Sequence, residues 1–182
     1  LRQCFDALSR GTLQHLAVNI SVRSLHDLRF PDLVDSLLKT GGIPPEKLML
    51  EVTESAFMVD LQRTVETLAV LSHMGVMISI DDFGTGFSSL NYIKKLPINE
   101  IKIDKSFVSD MTSDENDLSI VRSIIELGHN LGLKVVAEGV ENKAILDSLA
   151  ALGCDHCQGY YISYPLPHER FMAWSGQTPG KT

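Results

Sequence analysis

Nowhere in these 182 residues does an apolar run reach the roughly 18–20 residues that a membrane-crossing helix needs, so no span is expected. The first residues also lack the basic stretch, apolar core and small-residue cleavage site of a secretory signal. Positive charge is in short supply, with 16 Lys and Arg against 23 Asp and Glu and a net charge of -7. Such a surface binds the phosphate backbone of nucleic acid poorly, so DNA is not an expected partner. Cysteine is sparse and odd in number (Cys4, Cys154 and Cys157), which excludes a disulfide framework and fits a reducing compartment. A cytoplasmic location is expected, any membrane anchor lying elsewhere in a longer protein. The Asn19-Ile20-Ser21 sequon is discounted, because it falls in an expected strand and in the wrong compartment. The histidines lack His-Glu-x-x-His spacing, and Cys154-Asp155-His156-Cys157 has no second cysteine pair, which argues against a zinc centre. Asp82-Phe83-Gly84 stands without a glycine-rich nucleotide loop or a His-Arg-Asp triplet, which excludes a protein kinase. Low-complexity segments and interdomain linkers are also missing. The first residue is Leu1 rather than Met, so a piece of a larger protein is expected.

What remains is a regular alternation. Short apolar runs at Leu16–Ser21, Leu48–Val52, Val76–Asp82, Glu100–Asp104, Lys134–Glu138 and Cys157–Ser163 predict buried strands. Between them, Pro31–Thr40, Asp60–Met74, Asn116–Leu131 and Asn142–Leu152 predict helices, three of them running into a stop at Gly41-Gly42, Gly132 or Gly153. On the second, Leu61, Val65, Leu68, Leu71 and Met74 form one stripe. A helix in each connection predicts parallel strands, in either a doubly wound sheet or a (β/α) barrel. The barrel is favoured because no glycine-rich phosphate loop follows the first strand and nearly every strand ends in a polar residue. In a TIM-type barrel such strand-end residues converge on one mouth. About six strands are countable against the eight of a closed barrel, so the α/β barrel is expected to be incomplete, the deficit lying before the helix-like start at Leu1–Ser9. Residues 1–174 are read as one domain and Ser175–Thr182 as a disordered tail.

The strand-end residues Asn19, Glu51, Asp81, Asp82 and Glu138 are all oxygen donors, a set that suits hard divalent cations such as Mg²⁺ or Mn²⁺. Adjacent aspartates can share a site only where a strand ends, because successive strand residues point opposite ways. One can then bridge two ions about 3.5–4 Å apart while its neighbour serves the second, as in phosphodiester hydrolysis. Lys102, framed by Ile101 and Ile103, is expected at the barrel mouth, where it would orient water or offset phosphate charge; Asp104 is a lesser candidate. Gly84 and Gly86 make the loop after the aspartates a candidate lid. Any one strand-end acid is more often a helix cap or a surface ion pair, and Glu141 could simply favour the start of the next helix. It is the recurrence of oxygen donors at one end of almost every strand that points to a site.

The segments Val18-Asn19-Ile20-Ser21, Leu50-Glu51-Val52-Thr53-Glu54, Ile80-Asp81-Asp82-Phe83-Gly84-Thr85-Gly86, Ile101-Lys102-Ile103-Asp104, Val136-Ala137-Glu138-Gly139-Val140-Glu141 and Gln158-Gly159-Tyr160 resemble, in order and spacing, the motifs of EAL domains. The resemblance runs from about Leu1 to Trp174. It implies a TIM-type barrel that hydrolyses cyclic di-GMP to linear 5′-pGpG with Mg²⁺ or Mn²⁺. It further implies that Asn19, Glu51 and Asp81 hold a first ion. Asp81 then bridges to a second, joined by Asp82 and Glu138. Lys102 positions the water and Gln158 lies beside the ions or their waters. Glu141 anchors the loop Phe83–Ser89. A homodimer through the region of that loop, and neighbouring sensor or GGDEF domains, are also implied. The Glu-Ala-Leu segment that names the family is missing from this sequence. Two other functions are weighed: a degenerate EAL domain that senses cyclic di-GMP without cleaving it, and an enolase-like Mg²⁺ lyase or isomerase using Lys102 as base. The intact donor set argues against the first, and Asp-Phe-Gly-Thr-Gly against the second.

Overall fold

The computed structural model describes residues 8, 13, 15–86 and 93–175. Six strands form one parallel sheet in sequential order: β1 (Leu16–Asn19), β2 (Leu48–Thr53), β3 (Met77–Phe83), β4 (Glu100–Ile103), β5 (Lys134–Ala137) and β6 (His156–Cys157). Every neighbour in the sheet is a neighbour in sequence, which is the winding of a barrel and not the strand reversal of a doubly wound sheet. Among the described residues β1 and β6 are free edges, so the six strands make an open part of a barrel.

The long helices are α2 (Phe30–Gly41), α4 (Leu61–His73), α6 (Glu115–Asn130) and α7 (Lys143–Ala151), each within one residue of its expected ends. Their starts are chemically marked. Asp60, Asp114 and Asn142 accept hydrogen bonds from the free backbone N–H groups of the first turns. Four shorter helices carry too few residues to show a period: α1 (Val22–Leu25), α3 (Ala56–Val59), α5 (Lys105–Val108) and α8 (His168–Ser175). The helix-like stretch at 1–9 lies outside the described residues apart from Leu8, which is fully buried. The expected tail lies outside them from residue 176 on, and Ser175 closes α8.

Strand alternation divides the sheet into two chemistries. Leu48, Leu50, Val52, Ile78, Ile80, Ile101, Ile103, Val135 and Ala137 join helix residues such as Leu38, Leu68, Ile125 and Leu149 in one apolar core. The alternate positions include Glu51, Asp81 and Lys102. All the long helices therefore cover one face, and the polar side chains are left to the other.

One expected strand is much shorter than predicted. The apolar run Cys157–Ser163 predicts an extended segment, but β6 stops at Cys157 and the chain turns, with the Ile162 and Ser163 N–H groups both donating to the Gly159 carbonyl. Gly159 sits so close to Val140 that an added Cβ would lie 2.2 Å from its carbonyl oxygen. Only glycine fits there, and the contact peels the chain away from the sheet.

Candidate functional site

Parallel pairing aligns the carboxyl ends of the strands. Asn19 is in register with Glu51, and Thr53 with Asp81. The ladder continues one residue past several strands: Glu54 N–H donates to the Asp81 carbonyl, Glu138 N–H to Ile103 and Gln158 N–H to Ala137. These bonds bring side chains from β2, β3, β4 and the ends of β5 and β6 to one rim.

Lys102 is the centre of that rim. It is only 4% exposed, yet its ammonium lies 2.6 Å from Glu138 Oε1, 3.0 Å from Asp81 Oδ1 and 3.2 Å from Glu51 Oε1. Burial works to lower its pKa, but the hydrogen bonds to Glu138 and Asp81 and the charge of Glu51 outweigh it and hold the lysine above its ordinary range. The ammonium is therefore a fixed positive charge.

Asp82 reaches the same rim by a backbone device the sequence does not announce. Its φ of 55° is the only left-handed value at a non-glycine residue among those described, and the register of β3 against β4 shifts between Ile80 and Phe83. The strand does not end at the aspartates, as expected, but continues to Phe83 through this bulge. The bulge re-aims Asp82, so that Asp81, Asp82 and Glu138 each offer an oxygen within 4.8 Å of the others. Burial raises the Asp82 pKa, and the charges of Asp81, Asp104 and Glu138 push it further the same way. Asp104 caps α5 by accepting from Ser106 N–H and from the Ser106 hydroxyl; although burial opposes, these bonds hold its pKa low.

Four carboxylates, those of Glu51, Asp81, Asp82 and Glu138, thus gather at this rim, three of them paired with the Lys102 ammonium. The surplus of negative charge, in a half-buried pocket of oxygen donors only, fits hard divalent cations. Asp81, Asp82 and Glu138 are the residues that could hold them, with Glu51 beside Asp81 through Lys102. Asn19 stands on the edge strand in register with Glu51 and is exposed. Gln158 lines a hollow with Glu138, Glu141 and Lys105. The apolar groove between α2 and strands β1 and β2, lined by residues such as Val18, Leu37 and Leu50, offers no polar side chain and is not the site.

The carboxylate holding the described part of the lid loop is Glu54, which accepts 3.1 Å hydrogen bonds from both Gly84 N–H and Gly86 N–H. Gly86 fits because a Cβ there would lie 2.9 Å from the Glu54 carboxyl. Glu141, expected as the anchor, is exposed after β5, and no hydrogen bond joins it to the loop among the described residues. The signal for Glu54 in the sequence is its place three residues beyond Glu51, which puts it just past the end of β2 and next to the loop.

With this geometry in hand, comparison with known proteins places the chain. The model of the EAL domain family matches residues 1–165. The chain belongs to the EAL domain family. It is 45% identical over 159 residues to the bifunctional diguanylate cyclase/cyclic di-GMP phosphodiesterase MucR of Pseudomonas aeruginosa, covering 87% of this chain and 23% of that protein. It is 43% identical over 166 residues to the signaling protein YkoW of Bacillus subtilis, covering 91% and 21%. The chain therefore spans about a fifth of the length of these curated relatives. Among solved structures it superposes on the PaMucR phosphodiesterase in complex with c-di-GMP with a TM-score of 0.88 at 43% identity, covering 93% of this chain and 69% of that one. The EAL domain of Mycobacterium smegmatis DcpA gives 0.87 at 36% identity, covering 97% and 78%. No helix of the described residues is long and apolar enough to cross a membrane.

Proposed function

We propose that this domain is a divalent-metal-dependent phosphodiesterase that cleaves cyclic di-GMP to linear 5′-pGpG. The observation that carries the reading is the clustering of the Asp81, Asp82 and Glu138 carboxylates, with the Lys102 ammonium paired to Asp81 and Glu138. The names of the MucR relative and of the P. aeruginosa cyclic di-GMP phosphodiesterase NbdA, 41% identical over 170 residues, support the substrate. Mg²⁺ or Mn²⁺ bound among these acids would supply the positive charge that a phosphodiester needs to accept attack by water. The protein's own groups do the positioning. Asp81 and Asp82, aimed together by the bulge, would hold the ions together with Glu138, Glu51 and Asn19. Lys102 holds Glu51, Asp81 and Glu138 in register and presents the N–H groups that orient the attacking water. Gln158, next to Glu138, orients the same water from the rim. Glu54 holds the Gly84–Gly86 segment in place just past the acids of β3. A homodimer, and sensor or cyclase domains in a longer protein, belong to the same reading; the bifunctional name of MucR supports the latter.

The test is incubation with cyclic di-GMP and Mn²⁺, with the products separated by chromatography. Linear pGpG that disappears with EDTA is expected. Saturable binding without any linear product would replace the enzyme by a sensor, and neither would remove the substrate.

A further inference from the structure

One layer beneath the rim, the same face of the sheet carries a second polar set that the hydrolysis above does not use. Alternation places Ser79 below Asp81 on β3 and Glu100 below Lys102 on β4. Ser79 and Glu100 are in register across the sheet, and Glu100 is in register with Lys134 on its other side. Ser79 is fully buried; its hydroxyl makes no hydrogen bond of ordinary length among the described residues and interacts instead with the Glu100 carboxyl. Lys134 is already committed, its ammonium lying 2.6 Å from Asp155 Oδ1. Glu100 is half-buried, and the charged groups that act on it are His156 of β6, Glu51 of β2 and Lys102 of its own strand. Burial holds its pKa above the ordinary carboxylate range and the charge of Glu51 adds to this, although the Ser79 hydroxyl, His156 and Lys102 draw it back. A carboxylate placed inside a barrel is costly unless a positive charge uses it.

Lys102 is the group that gives Glu100 a use. Without cations, Glu51, Asp81 and Glu138 each pair its ammonium. Two divalent cations would match the four rim carboxylates charge for charge, and leave this buried ammonium without a counter-charge of its own. Glu100, two residues earlier on the same strand face, supplies one from outside the ion set. It acts on Lys102 from the layer beneath the rim, so it steadies the ammonium without competing for the acids. We propose that Glu100 is a positioning residue for the hydrolysis, a counter-charge beneath Lys102 that keeps the ammonium in place once the rim acids are shared with cations. The Ser79 hydroxyl orients the Glu100 carboxylate for that task. The inference rests on the metal-dependent phosphodiesterase reading and adds to it a second charged layer. Glu100 acts through Lys102 and not on the substrate.

The experiment measures melting temperature at about pH 8, in EDTA and in Mn²⁺, for the wild type, Glu100→Gln, Lys102→Met and the double variant. Hydrolysis of cyclic di-GMP is measured beside it for the wild type, Glu100→Gln and Glu100→Asp. In EDTA, Glu100→Gln is expected to leave the melting temperature unchanged or higher, because the metal-free rim already carries surplus negative charge. In Mn²⁺ it should lower it by about 2–4 °C, and it should have no such effect in the Lys102→Met background. Its kcat should fall about tenfold with KM unchanged, and Glu100→Asp, which keeps the charge, should recover most of the rate. Equal losses of melting temperature in EDTA and in Mn²⁺, or additive losses in the double variant, would overturn the counter-charge. So would an unchanged rate in Glu100→Gln, or a lost rate that Glu100→Asp fails to recover. A wild type that does not hydrolyse cyclic di-GMP would remove the phosphodiesterase reading, while Mn²⁺-dependent coupling of Glu100 to Lys102 would still support the counter-charge.

Discussion

The two ends of the sheet use the same side chains to opposite effect. At the amino ends of β5 and β6, Asp155 accepts from Lys134 Nζ at 2.6 Å, His129 Nε2 at 2.9 Å and Val135 N–H at 3.0 Å. Burial opposes, but these donors hold its pKa down to about 2. At the carboxyl ends, three acids share Lys102, and the pKa of Asp82 beside them is raised. One carboxylate with three donors is a structural clasp. Four carboxylates with one lysine make an unsatisfied site, and that imbalance marks where a cation and a phosphate belong. The lesson is that the ratio of donors to acceptors, more than the presence of acids, separates the working end from the supporting one.

The comparison breaks most easily at Asp81. Asp81→Asn should lower the rate of cyclic di-GMP hydrolysis by about three orders of magnitude or more and abolish the rise in melting temperature that Mn²⁺ gives the wild type. A variant with near wild-type turnover would show that another group bridges. Lys102→Met comes next. Removing the only ammonium buried among the described residues leaves the rim acids unpaired, at a cost of about 3–5 kcal/mol in metal-free urea unfolding. Because cations could take its place among the acids, Mn²⁺ should recover most of that stability while the rate stays depressed by about two to four orders of magnitude. Recovery of both would remove the proposed role in orienting water. Glu54→Ala should slow turnover about tenfold to a hundredfold through the loop, with Mn²⁺ affinity kept; lost Mn²⁺ affinity would instead place Glu54 in the ion site.

Smaller effects should separate the two ends by the sign of their pH dependence. Asp155 has a folded pKa below the unfolded value near 3.8. Its contribution, about 1–2 kcal/mol, is present above pH 4 and is lost as pH falls through the folded value near 2. Asp155→Asn should therefore destabilise at pH 7 and change little at pH 2. Asp82 has a raised folded pKa. It weakens the metal-free fold once pH rises through that value, so Asp82→Asn should stabilise the metal-free protein slightly at pH 7 and have no such effect below pH 4. Urea melts in EDTA at several pH values measure both, and equal signs would collapse the contrast.

Much of this was written in the sequence. Helices with polar caps and even apolar stripes came within a residue of their ends, and the strands were marked by their apolar runs, because both signals are local. The donor set was visible as residue type at strand ends. What was hidden was whatever depends on backbone departures or on close packing. Asp82 reaches the rim through a bulge with positive φ, a state no side-chain pattern encodes. The loss of β6 after Cys157 depends on Gly159 touching Val140, a contact between segments 19 residues apart in number but adjacent in space. The role of Glu54 is hidden for a simpler reason: strand alternation does not apply past the strand end, where Glu54 turns toward Gly84 and Gly86 instead of the acids.

The central claim is that the acids of this rim, Glu51, Asp81, Asp82 and Glu138, are built for divalent cations, and the most direct measurement is the anomalous scattering of Mn²⁺ in crystals of this domain, wild type and Asp81→Asn. The account predicts Mn²⁺ peaks bonded to Asp81, Asp82 and Glu138 in the wild type and their loss in the variant. Peaks elsewhere, or an unchanged pattern in Asp81→Asn, would contradict it.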